Sequence, residues 1–241
     1  MVTVSEYWRP ASLEEARELL ARPGAVALAG GSRLGGSRAV PPVELVDLQA
    51  LGLAEIEDRA GAELRIGAMA TLQQVVDCDA APEVVREAAR REEPSTLRAQ
   101  ATVGGCVATG DAESELLATL LVHEAVVHLG DGSAPDEIPL EELLAGLPLA
   151  PGRLVTAVTL RVGGRTAAVR TARTPADRPI VAAVVRADDG VRRLALTGVA
   201  PTPVLVQPGD PVDPVGDFRG SAEYRRALAE VLVARALEAI A

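Results

Sequence analysis

Two glycine-rich stretches carry the residue types that could lie directly against a ligand. Residues 29–37 read Ala-Gly-Gly-Ser-Arg-Leu-Gly-Gly-Ser, and residues 102–111 read Thr-Val-Gly-Gly-Cys-Val-Ala-Thr-Gly-Asp. A Gly-Gly pair removes two side chains and permits positive φ. The backbone can then approach a flat or anionic group and turn its N–H groups towards it. The two stretches therefore predict one extended, phosphate-bearing ligand that is held at two points.

The other residue types exclude several kinds of active site. All 24 basic residues are arginines, which excludes a Schiff-base lysine and the lysine of a P-loop. The two histidines, His123 and His128, are five residues apart, whereas a zinc-binding helix needs a spacing of four. Cys78 and Cys106 cannot supply four thiolates to an iron–sulfur cluster. The sequence therefore predicts neither a metal centre nor a catalytic base.

Composition restricts the partners and the compartment. A net charge of -10 argues against nucleic-acid binding, which needs a basic surface. No apolar run reaches the roughly 18 residues of a membrane span. The first residues lack the basic and apolar regions of a secretory signal. We therefore expect a chain without a membrane span that works in a reducing cytoplasm.

The elements that must position the two glycine stretches follow from the apolar pattern. An apolar run at residues 25–29 predicts a strand that leads into the first stretch, and helices at 82–91 and 114–124 flank the second. Ser12 with Glu15 predicts a capping box, and the Asp-Gly pair at 189–190 predicts a hairpin. Further predicted helices cover residues 12–20, 72–77, 140–144 and 221–240, and further predicted strands cover residues 44–48, 125–129, 154–162, 181–187 and 191–200. Residues 56–68 are predicted to form a hairpin with its turn at Gly61-Ala62.

The order of these elements indicates the fold class. Residues 130–139 are predicted to be a polar loop, and residues 201–214 a proline-rich connector. Strands and helices intermix without the regular alternation of a doubly wound sheet, so the predicted class is α+β.

Seven segments, in order along the chain, resemble those of one family. Residues 29–34 resemble an AGG-x-x-L loop, and residues 97–105 (Leu-Arg-Ala-Gln-Ala-Thr-Val-Gly-Gly) resemble an IRN-x-ATIGGN segment. The other five segments are residues 7–16, 45–48, 64–68, 182–185 with 198–203, and 221–225. Together they resemble the FAD-binding medium subunit of molybdenum hydroxylases, the family of carbon monoxide dehydrogenase and xanthine dehydrogenase. The resemblance extends over nearly the whole chain.

This resemblance implies two FAD-binding subdomains, residues 1–53 and 54–164, followed by a small α+β domain, residues 165–241. The first glycine loop would hold the pyrophosphate of FAD, and the second would approach the flavin and its ribityl chain. Glu115 stands where the family usually has an aspartate that bonds the cofactor, and Arg173 and Asp177 would border the flavin edge. The implied cofactor-binding residues are Ala29, Gly30, Gly31, Ser32, Arg33, Leu34, Thr102, Val103, Gly104, Gly105, Thr109, Gly110, Asp111, Glu115 and Arg173.

The resemblance also implies partners. Electrons would arrive from iron–sulfur (2Fe-2S) clusters in a small subunit, which serve a large subunit that carries molybdopterin. They would leave through FAD to NAD or another acceptor.

Departures from the family pattern keep alternatives open. Cys106 replaces the usual asparagine, Glu115 adds a methylene, and aromatic residues are scarce. These departures suit a flavin-free scaffold or assembly subunit with the same fold. A stand-alone FAD oxidase is a third hypothesis. Glu115 could equally stabilise the first turn of its helix, and Asp111 could equally cap a loop.

Overall fold

Three β-sheets with helices around them form the described part of the protein. The computed structural model describes residues 3–33, 42–130, 136–174 and 177–241. The predicted site residue Leu34 lies outside these ranges. In the described part, sheets of three, five and four strands follow one another along the chain, and helices are interspersed between strands. The structure confirms the α+β class.

The first sheet is parallel and ends beside the first glycine stretch. It contains β1 (Val4–Trp8), β2 (Ala25–Leu28) and β3 (Val43–Asp47), in the order β1-β3-β2. Helix α1 (Leu13–Leu20) connects β1 to β2, and the Ser12 side chain accepts a hydrogen bond from the Glu15 N–H, as predicted. A short 3-10 turn, Gln49–Leu51, follows β3.

The second sheet is antiparallel and carries most of the helices. It contains β4 (Ile56–Arg59), β5 (Glu63–Gly67), β6 (Val126–Leu129), β7 (Asp136–Pro139) and β8 (Val155–Arg161), in the order β4-β5-β8-β6-β7. Six helices accompany it: α2 (Leu72–Val76), α3 (Glu83–Glu92), α4 (Ser95–Arg98), α5 (Val103–Thr109), α6 (Glu115–Val122) and α7 (Leu140–Ala145). Strands β4 and β5 form the predicted hairpin.

The third sheet is an antiparallel meander covered by the last helix. It contains β9 (Arg165–Thr171), β10 (Val181–Asp188), β11 (Val191–Thr197) and β12 (Val204–Val206), in the order β12-β11-β10-β9. The Asp-Gly pair joins β10 to β11 as predicted, since Asp188 pairs with Val191. Helix α8 (Ala222–Ala239) packs on β10 and β9.

Helix α6 joins the second and third sheets. All eight of its residues are buried, and it contacts both β10 and β11. Val184 and Ala195 of the third sheet belong to the same apolar core as the second sheet. One sheet falls within each of the segments 1–53, 54–164 and 165–241, yet this core continues across residue 164. The domain boundaries therefore stay a prediction.

Three expectations about local structure were wrong. Residues 103–109 form helix α5 instead of an open loop, because Thr102 caps the helix and accepts a hydrogen bond from the Gly105 N–H. Residues 136–139 form strand β7, which pairs with β6. The connector at 201–214 contains β12. Within the described ranges, we find no helix with the length and apolarity needed to cross a membrane.

Candidate functional site

One cavity of about 330 Å³ brings the two glycine stretches together. It lies between the end of β2 and helix α5. Its volume falls within the range of about 300–1,000 Å³ that is typical of small-molecule sites. Nine of the predicted site residues line it: Ala29, Gly30, Gly31, Ser32, Arg33, Thr102, Gly104, Gly105 and Thr109.

The first glycine of each pair allows close packing of one backbone on another. A Cβ atom on Gly30 would lie 1.7 Å from the carbonyl oxygen of Gln100. A Cβ atom on Gly104 would lie 2.7 Å from Cβ and 2.8 Å from the carbonyl oxygen of Ala68. All three distances are too short for a real Cβ atom, so these two glycines fix how closely the walls of the cavity approach each other.

The second glycine of each pair lies at the cavity with more space around it. A Cβ atom on Gly105 would meet Thr102 Oγ1 at 3.1 Å and, among the described residues, no other atom within 4 Å apart from its chain neighbours and the backbone of its own helix. Gly31 has a φ of +69°, a conformation that few residues other than glycine adopt. A Cβ atom there would meet Leu28 Cδ1 at 3.3 Å. At these two positions a ligand can approach the backbone directly.

Helix α5 is held against the second sheet by backbone hydrogen bonds. The Gly104 N–H donates to the Ala68 carbonyl at 2.8 Å, and the Val103 N–H donates to the Ala70 carbonyl at 3.0 Å. Thr109 Oγ1 donates to the Gly105 carbonyl at 2.7 Å near the other end of the helix. The first turn of α5 is therefore fixed against the second sheet, whereas the Thr109 bond lies within the helix itself.

A cluster of charged side chains joins the first glycine stretch to the rest of the molecule. Arg33 pairs with Asp111 at 2.9 Å and with Glu93 at 3.5 Å. Arg178 pairs with the same Asp111 at 2.6 Å and with Glu92 at 3.0 Å. The cluster thus contains residues from all three predicted domains.

Two carboxyl groups of this cluster have shifted pKa values. Burial raises the pKa of Glu92, although Arg178 and a hydrogen bond from Ser114 oppose the shift. Burial also acts to raise the pKa of Asp111, but Arg178, the Glu113 N–H and Arg33 outweigh it and lower the pKa. Asp111 is therefore a carboxylate at neutral pH, and its position between Arg33 and Arg178 explains why.

Cys106 lines the cavity without being a reactive thiol. Burial, with a smaller contribution from Glu92, raises the pKa of Cys106 far above the ordinary value. Because the thiolate is the nucleophilic form, the neutral thiol serves as a small apolar part of the wall.

Several predicted residues lie outside the cavity. Val103 is buried in the core of the second sheet. Gly110 has a φ of +60° and ends α5, with Leu147 and Thr202 packed against it. Asp111 reaches the cavity through its ion pair with Arg33.

Glu115 and Arg173 are not brought to the cavity. The Glu115 carboxylate is buried, and it lies 3.0 Å from Arg91 Nη1 and 3.1 Å from Arg170 Nε. Both of its oxygens thus face arginines. Arg173 lines a separate depression together with Arg91 and Arg170.

The apolar walls of the cavity were not predicted. They come from separated parts of the chain that hold no glycine pair: Val26, Ala27, Leu48, Leu53, Met69, Leu149, Leu154 and Val155. Arg153 also lines the cavity. No local pattern marks these residues, because only the tertiary fold places residues 149–155 beside α5.

These features fit a dinucleotide cofactor. Gly31 and Gly105 offer backbone that a Cβ atom would cover. The Arg33 guanidinium, whose charge is balanced by Asp111 and Glu93, lines the cavity with N–H donors. Apolar side chains on the opposite walls suit a flat ring system. The donor set is therefore appropriate for a ligand that carries both a phosphate and a ring.

Comparison with known proteins identifies the family. Residues 3–160 match the model of the FAD-binding domain in molybdopterin dehydrogenase. The chain belongs to this family. The assignment confirms the predicted likeness to the FAD-binding subunits of molybdenum hydroxylases, the oxidoreductase class and FAD as the cofactor.

Relatives extend the match to the whole length. The uncharacterized protein YgfM of Escherichia coli (strain K12) is 33% identical, with 96% of this chain and 94% of YgfM covered. The carbon monoxide dehydrogenase medium chain of Afipia carboxidovorans is 29% identical, with 97% and 95% covered. A solved structure of carbon monoxide dehydrogenase from Hydrogenophaga pseudoflava matches with a TM-score of 0.89 at 25% identity, with 100% of this chain and 98% of that one covered. The third sheet, which begins after residue 160, is thus shared with these proteins.

Proposed function

We propose that this FAD-binding subunit transfers electrons within a molybdenum hydroxylase-type complex. Electrons arrive from 2Fe-2S clusters of a small subunit, which works with a molybdopterin-bearing large subunit. They leave to NAD or another acceptor. The observation that carries the proposal is the single cavity lined by both glycine stretches, in a chain whose relatives include a carbon monoxide dehydrogenase medium chain.

The residues at the cavity have distinct roles in this proposal. Gly31 and Gly105 leave backbone open to the cofactor, while Gly30 and Gly104 set the separation of the walls. Arg33 holds the first stretch against Asp111 and presents guanidinium N–H donors to the phosphates. FAD, when bound, supplies the exchange between single-electron and hydride chemistry. The protein therefore binds and orients the cofactor without a catalytic base of its own.

Cofactor binding is tested on the purified full-length chain. We expect visible flavin absorbance, or its appearance after reconstitution with FAD, and release of FAD on denaturation. A colourless protein that takes up no FAD would instead support the flavin-free scaffold. One observation favours that alternative: the two oxygens of the Glu115 carboxylate pair with Arg91 and Arg170 instead of facing the cofactor cavity.

The partner assignment needs a separate experiment. A tagged chain is purified from its own cells, and the proteins retained with it are identified together with their iron and molybdenum content. We expect one 2Fe-2S subunit and one molybdopterin subunit. A flavin-loaded chain that comes alone and oxidises an organic substrate with oxygen would support the oxidase hypothesis instead.

A further inference from the structure

Exposed apolar side chains are concentrated around the C-terminal helix. Among the described residues, seven large apolar side chains are exposed, and four of them lie in the segment 215–231. The exposed fraction is 85% for Val215 and 89% for Phe218. Tyr224 and Val231, both on α8, are 46% and 47% exposed. Such a concentration of apolar surface is typical of a site of protein–protein contact.

Helix α8 has apolar residues on both its inner and its outer side. The inner side packs on the third sheet and buries Ala229, Leu232 and Ala236. A surface helix normally has polar residues on its outer side. Here the outer side carries a row of exposed residues, called the outer row below: Tyr224, Ala227, Val231 and Ala234. Their alternating spacing of three and four positions is that of the contact positions a and d in a pair of helices.

A hydrogen-bonded turn presents Phe218 at the N-terminal end of the outer row. The Gly220 N–H donates to the Asp217 carbonyl at 3.2 Å, and the Arg219 N–H donates to the Asp217 carboxylate at 2.8 Å. Arg225 on α8 pairs with the same carboxylate at 2.7 Å. The turn is therefore already ordered against the helix, which lowers the entropy cost of burying Phe218 against a partner.

The charges beside the outer row are complementary to a second copy of the chain. Glu230 precedes Val231 and Arg235 follows Ala234, which are positions g and e of the heptad. Both are exposed, and among the described residues neither forms an ion pair. In a parallel pair, position g of one helix lies beside the position e that comes five residues later in the other. Each Glu230 would then face the Arg235 of the other copy, whereas an antiparallel pair would place the two Glu230 carboxylates near each other.

We propose that α8 forms a parallel, two-fold contact with α8 of a second copy of this chain. The contact buries the outer row and brings both Phe218 turns to the same end of the interface. It ends after Ala234, because Glu238 comes next in the row and two such carboxylates repel each other. None of the residues that line the cofactor cavity comes from α8. The contact is therefore independent of the proposed electron transfer.

The test is sedimentation velocity of the purified full-length chain over a range of concentrations. We expect twice the mass of one chain at about 100 µM, a concentration at which a contact with a Kd near 1 µM is formed. Val231→Arg places a charge in the middle of the outer row and should weaken the dimer about tenfold or more. Val191→Arg is the matched control, since Val191 is 58% exposed and lies on β11, outside the outer row. It should associate as the unaltered chain does.

An exchange of charges tests the parallel orientation. Glu230→Arg sets arginines against each other, and Arg235→Glu sets carboxylates against each other, so each should weaken the dimer about tenfold. The double variant Glu230→Arg with Arg235→Glu restores opposite charges and should return the Kd to within about threefold of that of the unaltered chain. Circular dichroism and thermal unfolding below the Kd of each variant show that the monomers are folded.

A chain that stays monomeric at every concentration would overturn the proposal, as would a dimer that Val231→Arg leaves unchanged. A mass that rises beyond two chains would contradict a closed two-fold pair. Weak single variants without rescue in the double variant would overturn the parallel orientation. A monomeric chain that loses a co-purifying 2Fe-2S subunit through Val231→Arg would assign this surface to that subunit instead. None of the sedimentation measurements requires FAD, so a chain without flavin contradicts the proposed cofactor role and leaves this test intact.

Discussion

Side chains are absent for two different reasons at the two positions of each glycine pair. Gly30 and Gly104 lie against the backbone of Gln100 and Ala68, where a Cβ atom cannot fit. Gly31 and Gly105 line the cavity with few atoms near them. Substitution of the first glycine of a pair should therefore reduce stability, whereas substitution of the second should reduce ligand binding.

The pair in α5 gives the clearest comparison. Gly104→Ala should lower the free energy of unfolding by about 1–3 kcal/mol, as overpacking does, and this outweighs a gain of about 1 kcal/mol in helix propensity. Gly105→Ala gains the same propensity with one close contact, so its stability should be preserved while FAD affinity falls about tenfold. Denaturant unfolding and FAD titration measure the two effects. Equal loss of stability in both variants would contradict this division.

His123 should make stability depend on pH. It is buried, and its Nδ1–H donates to the Arg161 carbonyl at 2.7 Å. Burial is the main cause that lowers the pKa of His123 from 6.5 to about 4, with Arg186 adding to it. Between pH 6.5 and about pH 4, His123 is protonated in the unfolded chain and neutral in the folded chain. The contribution of His123 to the free energy of unfolding should therefore fall by about 3 kcal/mol between pH 6.5 and pH 4 and change no further below that.

The variant His123→Asn isolates this contribution, because an amide can still donate to Arg161 and does not titrate. Denaturant unfolding at pH 7 and pH 4 should show a smaller loss in the variant than in the unaltered chain. His128→Asn is the matched control, since His128 is less buried than His123 and its pKa is lowered by burial to a lesser degree. The raised pKa of Glu92 acts equally in all chains. The same pH dependence in His123→Asn as in the unaltered chain would show that another group is responsible.

Residue types alone predicted part of the site. Glycine pairs stand out in a sequence because their conformational freedom has few other uses, and nine of the predicted residues line one cavity. Leu149 and Leu154 carry no such signal, since an apolar residue looks the same at a cavity wall as in a core. Glu115 was assigned by its place in a family motif, and its arginine partners on α3 and β9 could not be read from local sequence.

At the scale of elements, the Ser12 cap and two hairpins were predicted and some strands were missed. Ser12, Thr71, Ser114 and Ser221 all cap helices in the structure, because a side-chain acceptor before an apolar repeat is a local signal. Strand β9 reads Arg-Thr-Ala-Ala-Val-Arg-Thr, which has little apolar alternation, and pairing with β10 decides its structure. Helix α5 was not predicted, because its two glycines disfavour a helix. The Thr102 cap and hydrogen bonds to the second sheet stabilise it.

The ion pair between Arg178 and Glu92, at the end of α3, leads to another prediction. Arg178 is the cation nearest to the buried Glu92. Arg178→Met should lower the free energy of unfolding by about 3–5 kcal/mol at pH 8, the usual effect of leaving one buried charge unpaired. Without Arg178, the already raised pKa of Glu92 rises further. Protonation then removes the penalty as the pH falls, so the loss at pH 5 should be smaller.

The double variant Glu92→Gln with Arg178→Met provides the control. It removes the unpaired charge, so most of the stability should return at pH 8, as measured by denaturant unfolding. A double variant as unstable as Arg178→Met alone would indicate that Arg178 acts through Asp111 or through packing.

The apolar core is distributed unevenly over the whole molecule, and this distribution determines which part of it a bound ligand can stabilise. The second and third sheets share an apolar core through α6. The first sheet has a small cluster of its own, which includes Ala16, Val46 and Leu48 and is completed by Leu154 of the second segment. Most residues of β1 and β2 are exposed or half-buried. Without a ligand, the first sheet should therefore open more readily than the rest.

FAD should remove much of this difference, since its cavity is lined by β2 and the first glycine stretch on one side and by α5 on the other. At about 100 times its Kd, a ligand stabilises the bound state by about 2.7 kcal/mol, so the amides of β2 and β3 should exchange with solvent about 100-fold more slowly. The amides of β10 and β11, which open with the shared core, should change far less. Hydrogen exchange with mass spectrometry measures both sets in one experiment. Gly105→Ala is the control: with a tenfold weaker affinity for FAD, it should show only about tenfold slowing at the same FAD concentration. Protection confined to β10 and β11 would place the cofactor away from the glycine stretches and contradict the proposed site.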